Sequence, residues 1–196
     1  MRAPGARRRA ACALVAIALI GAACVAPAHA APVPLVNPGF ESTRPGEGGS
    51  PEGWVAIQHA GEESYDFALD SGQKKSGTQS MRIKRYGPEP YGTITQVLPG
   101  SALAGRTVRL SAWIRTEDVP QGRRTGAGLV LMALRGSAFL AHEFMQKRRA
   151  QGSTDWTRYS IELALPPGTN RLEAGATLEG GGTMWVDDFE LEVLDR

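Results

Sequence analysis

Val108-Arg109-Leu110-Ser111-Ala112-Trp113-Ile114-Arg115 decides the fold class. Apolar Val108, Leu110, Ala112 and Ile114 alternate with Arg109, Ser111, Trp113 and Arg115. A period of two puts successive side chains on opposite faces of a strand, so this run reads as a half-buried β-strand. The same period recurs along the chain. Tyr65, Phe67 and Leu69 alternate with Asp66, Ala68 and Asp70, and Met81 and Ile83 with Arg82 and Lys84. Tyr159, Ile161, Leu163 and Leu165 form another apolar phase, as do Leu172, Ala174, Ala176 and Leu178. The last is Phe189, Leu191 and Val193. Turn signals separate the runs at Ser71-Gly72, Pro99-Gly100, Val119–Gly122, Pro166–Asn170 and Gly180–Gly182. No stretch carries a helical stripe. Many short strands at this spacing predict an all-β sandwich or barrel, with the topology left open.

The composition agrees with one globular body. The 196 residues are 42% hydrophobic and 21% charged, with 24 Gly and 13 Pro, which excludes collagen, coiled coil and a fully disordered chain. The net charge of +2 is unevenly placed. Residues 1–30 hold Arg2, Arg7, Arg8 and Arg9 and no acidic residue. Without those four arginines, 18 of the 22 basic residues face 20 acidic ones, a balance of −2. A nucleic-acid binder would show a basic stripe, so no nucleic-acid partner is expected.

The first 30 residues read as a signal peptide. Basic Arg7–Arg9 precede an apolar run from Ala10 to about Ala23, and Ala28-His29-Ala30 has the small-x-small form of a cleavage site. The run is shorter than the ~18–20 residues of a spanning helix, so no transmembrane segment is expected in the mature chain. The expected location is secreted or periplasmic. Ile20-Gly21-Ala22-Ala23-Cys24 also resembles a bacterial lipobox, with Gly21 where a branched apolar residue is usual, so a lipid anchor through Cys24 is the lesser alternative. Cys12 and Cys24 both fall in this segment, leaving residues 31–196 without a disulfide or a thiolate ligand. Those 166 residues are the size of one domain, with Thr43–Gly53 as a Gly/Pro-rich loop inside it.

Catalytic motifs are absent from the mature sequence. Its histidines are His59 and His142, and His142-Glu143 lacks the second histidine of a zinc helix because Gln146 stands there. No nucleophile elbow, phosphate loop or dinucleotide fingerprint occurs. Lys147-Arg148-Arg149 reads as a charged strand edge guarded against aggregation.

Three segments are more specific: Leu35-Val36-Asn37-Pro38-Gly39-Phe40-Glu41 with Gly53-Trp54, Lys75–Ile83, and Leu178–Leu191 containing Trp185-Val186-Asp187-Asp188-Phe189. In this order they resemble the start, early loop and last strand of the galactose-binding-like jelly roll, the fold of carbohydrate-binding modules of the family 4/9/22 type. Leu103–Thr116 and Gly152–Tyr159 are similar to accessory β-sandwich domains of bacterial extracellular hydrolases. The resemblance implies a single jelly-roll sandwich over 31–196 that binds without catalysis. Its implied partner is carbohydrate or cell-envelope glycan. A protein-interaction domain contacting an envelope protein is the alternative, and a hydrolase with an acid pair stands third.

The resemblance also implies a structural calcium where the first and last strands meet, held by Gly39, Glu41, Asp187 and Asp188 with carbonyls of the Lys74–Gly77 loop. Calcium takes hard oxygen ligands of this kind. Strand parity places Asp187 inward with Phe189 and Leu191, and Asp188 outward with Glu190. Hydrogen bonds from backbone N–H groups, or an arginine, are the alternative partners for Asp187. For sugar, Trp113 and Arg115 on the polar phase are the leading candidates. Tyr91, His142 and Glu143 are expected on the same face. The alternative for Trp113 is cover by a loop, and Trp54, Trp156 and Trp185 read as packing residues.

Overall fold

A computed structural model describes residues 30–44 and 51–194. The signal-peptide and lipobox readings, and the middle of the Thr43–Gly53 loop, lie outside the described residues. Eleven strands run through the described chain: β1 (Ala30–Val33), β2 (Val55–Gln58), β3 (Tyr65–Asp70), β4 (Ser80–Arg85), β5 (Tyr91–Pro99), β6 (Thr107–Val119), β7 (Gly126–Arg135), β8 (Ala138–Glu143), β9 (Gly152–Ala164), β10 (Arg171–Glu179) and β11 (Thr183–Leu194). The helical content among the described residues is one 3-10 turn, Ser101–Leu103. The structure is an all-β sandwich of two antiparallel sheets.

The first sheet has the order β3-β4-β11-β6-β9, with β1 also on β11. The second has the order β2-β5-β10-β7-β8. Between them lie the apolar phases of the sequence: Val108, Leu110, Ala112 and Ile114 from one sheet, Leu172, Ala174, Ala176 and Leu178 from the other. At one end Phe40, Trp54 and Phe189 meet as rings, with centroids 4.7 to 5.9 Å apart. Trp54 is anchored further by donating its indole N–H to the carbonyls of Val36 and Asn37. The Ala31–Pro34 lead forms most of β1, which pairs with the C-terminal half of β11.

Strand β11 has two edge partners on one side. β4 pairs Thr183–Val186 and β1 pairs Leu191–Leu194. Between them the β11·β6 register shifts from Asp187 to Glu190, and Asp188 adopts φ 51°. This bulge inserts a residue and switches the phase of the strand. Met184 and Val186 face the core before it; Phe189, Leu191 and Val193 face the core after it. The parity expected for Asp187 is therefore wrong. Asp187 pairs with Trp113 and shares the outer face of the first sheet. It is nonetheless 0% exposed, because the 71–79 loop folds over it and donates to its carboxylate.

Candidate functional site

The outer face of the second sheet is a groove of about 620 Å³. Register explains its shape. Across the sheet, Tyr91 aligns with Glu179 and Gly126, Thr93 with Thr177 and Gly128, Thr95 with Gly175 and Val130, and Val97 with Glu173 and Met132. Small or polar residues at the centre leave a low floor, while side chains from the flanks rise as walls. Tyr91 and Ile57 form one wall. Phe139, His142 and Phe144 form the other, with the His142 and Phe144 rings stacked at 4.6 Å. Phe139 is 65% exposed.

The polar groups of the groove are held in place from below. Thr93 donates to Thr177 Oγ1 at 2.9 Å, and Thr177 donates to the Gly92 carbonyl at 3.2 Å. Arg149 enters from the 144–151 segment, ion-pairs with Glu179 and donates its Nε–H to the Phe144 carbonyl at 3.2 Å. Only 5% of the Arg149 side chain is exposed. It is a buried groove residue, and its reading as a strand-edge guard is corrected. The segment that carries it is pinned by Met145, whose sulfur accepts the Leu129 N–H at 3.2 Å, and by the Ala127–Ala150 bridge.

The five sugar-site candidates do not share a face. Tyr91 and His142 line the groove on the second sheet. Glu143 pairs with Leu131, a core-facing position, and accepts the Met145 N–H at 2.8 Å, which stabilises the turn after β8. Trp113 and Arg115 lie on the outer face of the first sheet, on the opposite side of the sandwich. Trp113 leaves the core as expected, but Lys75 of the 71–79 loop places its ammonium 3.9 Å from the ring centroid. Arg115 pairs with Asp155 at 2.8 Å. Replacing Trp113 by alanine is expected to lower stability by about 1–2 kcal/mol, through lost packing and the cation–π contact, in thermal or urea denaturation. Phe139, Glu173 and Glu179 are groove residues that sequence reasoning did not single out; Phe144 lies in the segment expected to line a face, and Arg149 reads from sequence as a strand-edge guard.

Asp187 and Asp188 converge over Gly39, with the Glu41 stem nearby and its carboxylate turned to Thr78. A Cβ on Gly39 would lie 3.4 Å from Asp188 Oδ1, 3.6 Å from Asp187 Oδ1 and 4.0 Å from Glu41 Cγ. Oδ2 of Asp187 accepts the Lys75 and Ser76 N–H groups at 2.9 and 3.2 Å, while Oδ1 accepts its neighbour's N–H at 2.8 Å. The backbone partners weighed for Asp187 are thus present. The Ser76 hydroxyl donates to Asp188 Oδ1 at 2.8 Å. Glu41 is exposed and accepts the Thr78 hydroxyl and the Thr78 and Gln79 N–H groups. The Thr78 hydroxyl is the chief cause that holds the Glu41 carboxyl below its ordinary range. Burial pushes Asp187 up to about 6, against the hydrogen bonds, and the adjacent Asp188 adds to the rise.

The donor chemistry of this cluster fits a hard cation on the Oδ1 side of Asp187. Two carboxylates meet there over a glycine, and among the described residues neither has an ion-pair partner. No group of three or more acidic or imidazole side chains among the described residues stands ready-assembled around a common point, so carbonyl oxygens would have to complete any shell.

No family model matches the chain. A curated relative, an uncharacterised HTH-type transcriptional regulator YbfP of Bacillus subtilis strain 168, is 25% identical over 150 residues, 74% of this chain and 49% of the regulator. The chain thus spans about half the length of the curated relative it matches. Among solved structures, the xylan-binding domain CBM22-1 from Paenibacillus barcinonensis Xyn10C superposes with a TM-score of 0.52 at 12% identity, over 81% of this chain and 92% of that one. The chain has the galactose-binding-like jelly-roll fold. The enzymatically active domain of the bacteriophage CBA120 tailspike protein 4 also matches, with a TM-score of 0.56 at 13% identity, over 80% of this chain and 21% of the tailspike chain. At such identities the likeness is one of fold, and fold does not fix the ligand. No helix among the described residues is long and apolar enough to cross a membrane.

Proposed function

We propose that this protein is an exported, non-catalytic binding domain that holds glycan in the groove of its second sheet. The observation that carries the reading is the groove: aromatic walls at Tyr91 and His142–Phe144 flank a floor of ordered hydroxyl, carboxylate and guanidinium groups. Aromatic faces suit the apolar face of a sugar ring, and planar charged side chains suit its hydroxyls. Within the groove no nucleophile is paired with a base. Glu179 is taken by Arg149, and Glu173 by Arg171 at 2.5 Å. One fold neighbour is a xylan-binding domain, which supports the same class of ligand.

The reading includes a structural calcium on the Asp187 and Asp188 carboxylates over Gly39, with backbone carbonyls completing the shell and Glu41 reaching it only by turning from Thr78. The ion would join the 34–41 segment, the 71–79 loop and the bulge of β11, three pieces that no disulfide ties. Its role there is to compensate the buried charge of Asp187. Export rests on the basic, apolar and small-residue pattern of residues 1–30.

Affinity electrophoresis through polysaccharide gels tests the glycan reading. Retardation in at least one gel, relieved by the free oligosaccharide, is the expected result. Tyr91→Ala should weaken that interaction by about 2 kcal/mol, the scale of an anchoring aromatic. Trp113→Ala should leave it intact, since Trp113 faces away from the groove. Free migration through every gel would sink the proposal.

A further inference from the structure

The groove is segregated along its length. Tyr91, Thr93, Thr177 and the Arg149–Glu179 pair gather at the Glu179 end. Glu173 lies six residues away on the same face of β10, about 20 Å by strand rise. Around it the neighbours are Val130, Met132, His142 and Phe139, and its own carboxylate is engaged by Arg171. Both ends hold an Arg–Glu pair and an aromatic ring, but the hydroxyls of Thr93 and Thr177 stand at the Glu179 end, while Val130, Met132 and Phe139 make the other end the more apolar. Phe139 stands 65% exposed on that apolar end, with Val97 also open on the sheet face, whereas Ile57 pairs with Thr93 at the polar end. The charges cancel within the Arg149–Glu179 and Arg171–Glu173 pairs, which leaves no net charge for an anionic ligand to meet. The volume, near 620 Å³, is that of a small-molecule site: mostly apolar walls with a few convergent polar groups.

We propose that the groove selects a neutral sugar carrying an apolar substituent, such as an aryl aglycone or an aromatic acyl ester. The sugar lies at the Arg149–Glu179 end and the substituent on Val130, Met132 and Phe139. This deepens the glycan reading and rests on it. A plain neutral oligosaccharide would occupy the polar end and leave the Phe139 surface in water. An apolar group linked to the sugar buries both ends at once.

Isothermal titration calorimetry with matched probes tests the idea. One arm compares methyl with phenyl glycosides of xylotriose and cellotriose, long enough to reach from the Glu179 end to Phe139, with phenol as a control. A second arm compares a feruloylated xylo-oligosaccharide with its saponified form, so that the two sources of the apolar group are told apart. The expected result is a gain of roughly tenfold from the apolar group in at least one arm. Phe139→Ala should reduce that gain below about threefold; Phe139 is exposed, so the variant is expected to fold. Equal affinities within both pairs would overturn the inference while the binding itself upholds the glycan reading. Phenol binding as tightly as the phenyl glycoside would overturn both, since the sugar then contributes nothing. Absence of binding by every probe would also overturn both.

Discussion

Arg149→Ala is expected to destabilise the protein by about 3–5 kcal/mol and to eliminate ligand binding. The size follows from where the charge lies. Strand β7 supplies a bed for the arginine stem: a Cβ built on Gly126 would stand 2.5 Å from Arg149 Cβ, and one on Gly128 would stand 3.3 Å from Arg149 Cγ. The guanidinium then meets Glu179 on the neighbouring strand, almost shut off from water. Truncation removes the pair and leaves Glu179 as a partly buried carboxylate without its cation. It also frees the Phe144 carbonyl and loosens the wall that carries His142 and Phe144. Urea denaturation of Arg149→Ala, Glu179→Ala and the double variant reads the coupling. The double variant should recover more than half of the loss, because it leaves no orphaned charge. Gly126→Ala should mimic the arginine variant in part, since its φ of 128° and its contact with Arg149 both resist a side chain. A loss below about 1 kcal/mol for Arg149→Ala would mean that the pair is solvated like any surface pair.

The two sheets differ in how far the sequence discloses them, and the reason is burial. Strands β6, β9 and β11 show one face to the core and one to water or to a thin cover, so apolar and polar residues alternate. Strand β7, Gly126-Ala-Gly-Leu-Val-Leu-Met-Ala-Leu-Arg135, does not alternate, because both its faces are covered. Leu129, Leu131 and Ala133 enter the core, while Val130 and Met132 line the groove. A strand covered on both faces reads as a continuous apolar run. In β5, Thr93 and Thr95 are buried on the groove side for the same reason. Of the strands that build the site, β10 alternates and is legible, while β5 and β7 are the ones whose pattern is least informative.

Single residues failed for local causes. The β7·β8 register shifts between Ala133 and Leu134, so Phe139 joins the groove at a position that simple parity does not assign. Arg149 sits in a basic run that looks solvated, yet two glycines far upstream give it a buried path. Asp187 was legible as a carboxylate in need of a partner. Its direction was not, because the bulge at Asp187 and Asp188 inverts the strand phase. An Asp-Asp pair is a weak signal for such a bulge, since aspartate tolerates the positive φ that Asp188 adopts.

That buried carboxylate gives the second large effect. In chelator, stability is expected to fall between pH 4 and pH 7 by up to about 3 kcal/mol on account of Asp187 alone. Burial raises the folded carboxyl from 3.8 to about 6. The folded chain therefore holds its proton more tightly than the unfolded chain. The stabilisation is complete below the unfolded value and is lost as pH rises through the folded one. Glu41 and Asp70 act in the opposite sense. Their carboxyls are lowered: Glu41 chiefly by the Thr78 hydroxyl, Asp70 by the Trp185 indole, the Gly72 and Gln73 N–H groups and Arg82, which together outweigh its burial. Their contribution is present at neutral pH and disappears in acid.

Subtracting the curve of Asp187→Asn isolates the Asp187 term. In chelator, the wild type should lose its advantage over the variant as pH rises from 4 to 7. If calcium binds, the sign reverses, because the cation favours the ionised carboxylate. Calcium should then raise the wild-type melting temperature at pH 7, do so much less at pH 4.5, and leave Asp187→Asn unmoved. Melting curves that ignore both calcium and chelator at pH 7 would remove the cation from the site. The backbone N–H groups of Lys75, Ser76 and Asp188 would then be the whole of what holds this charge inside the fold.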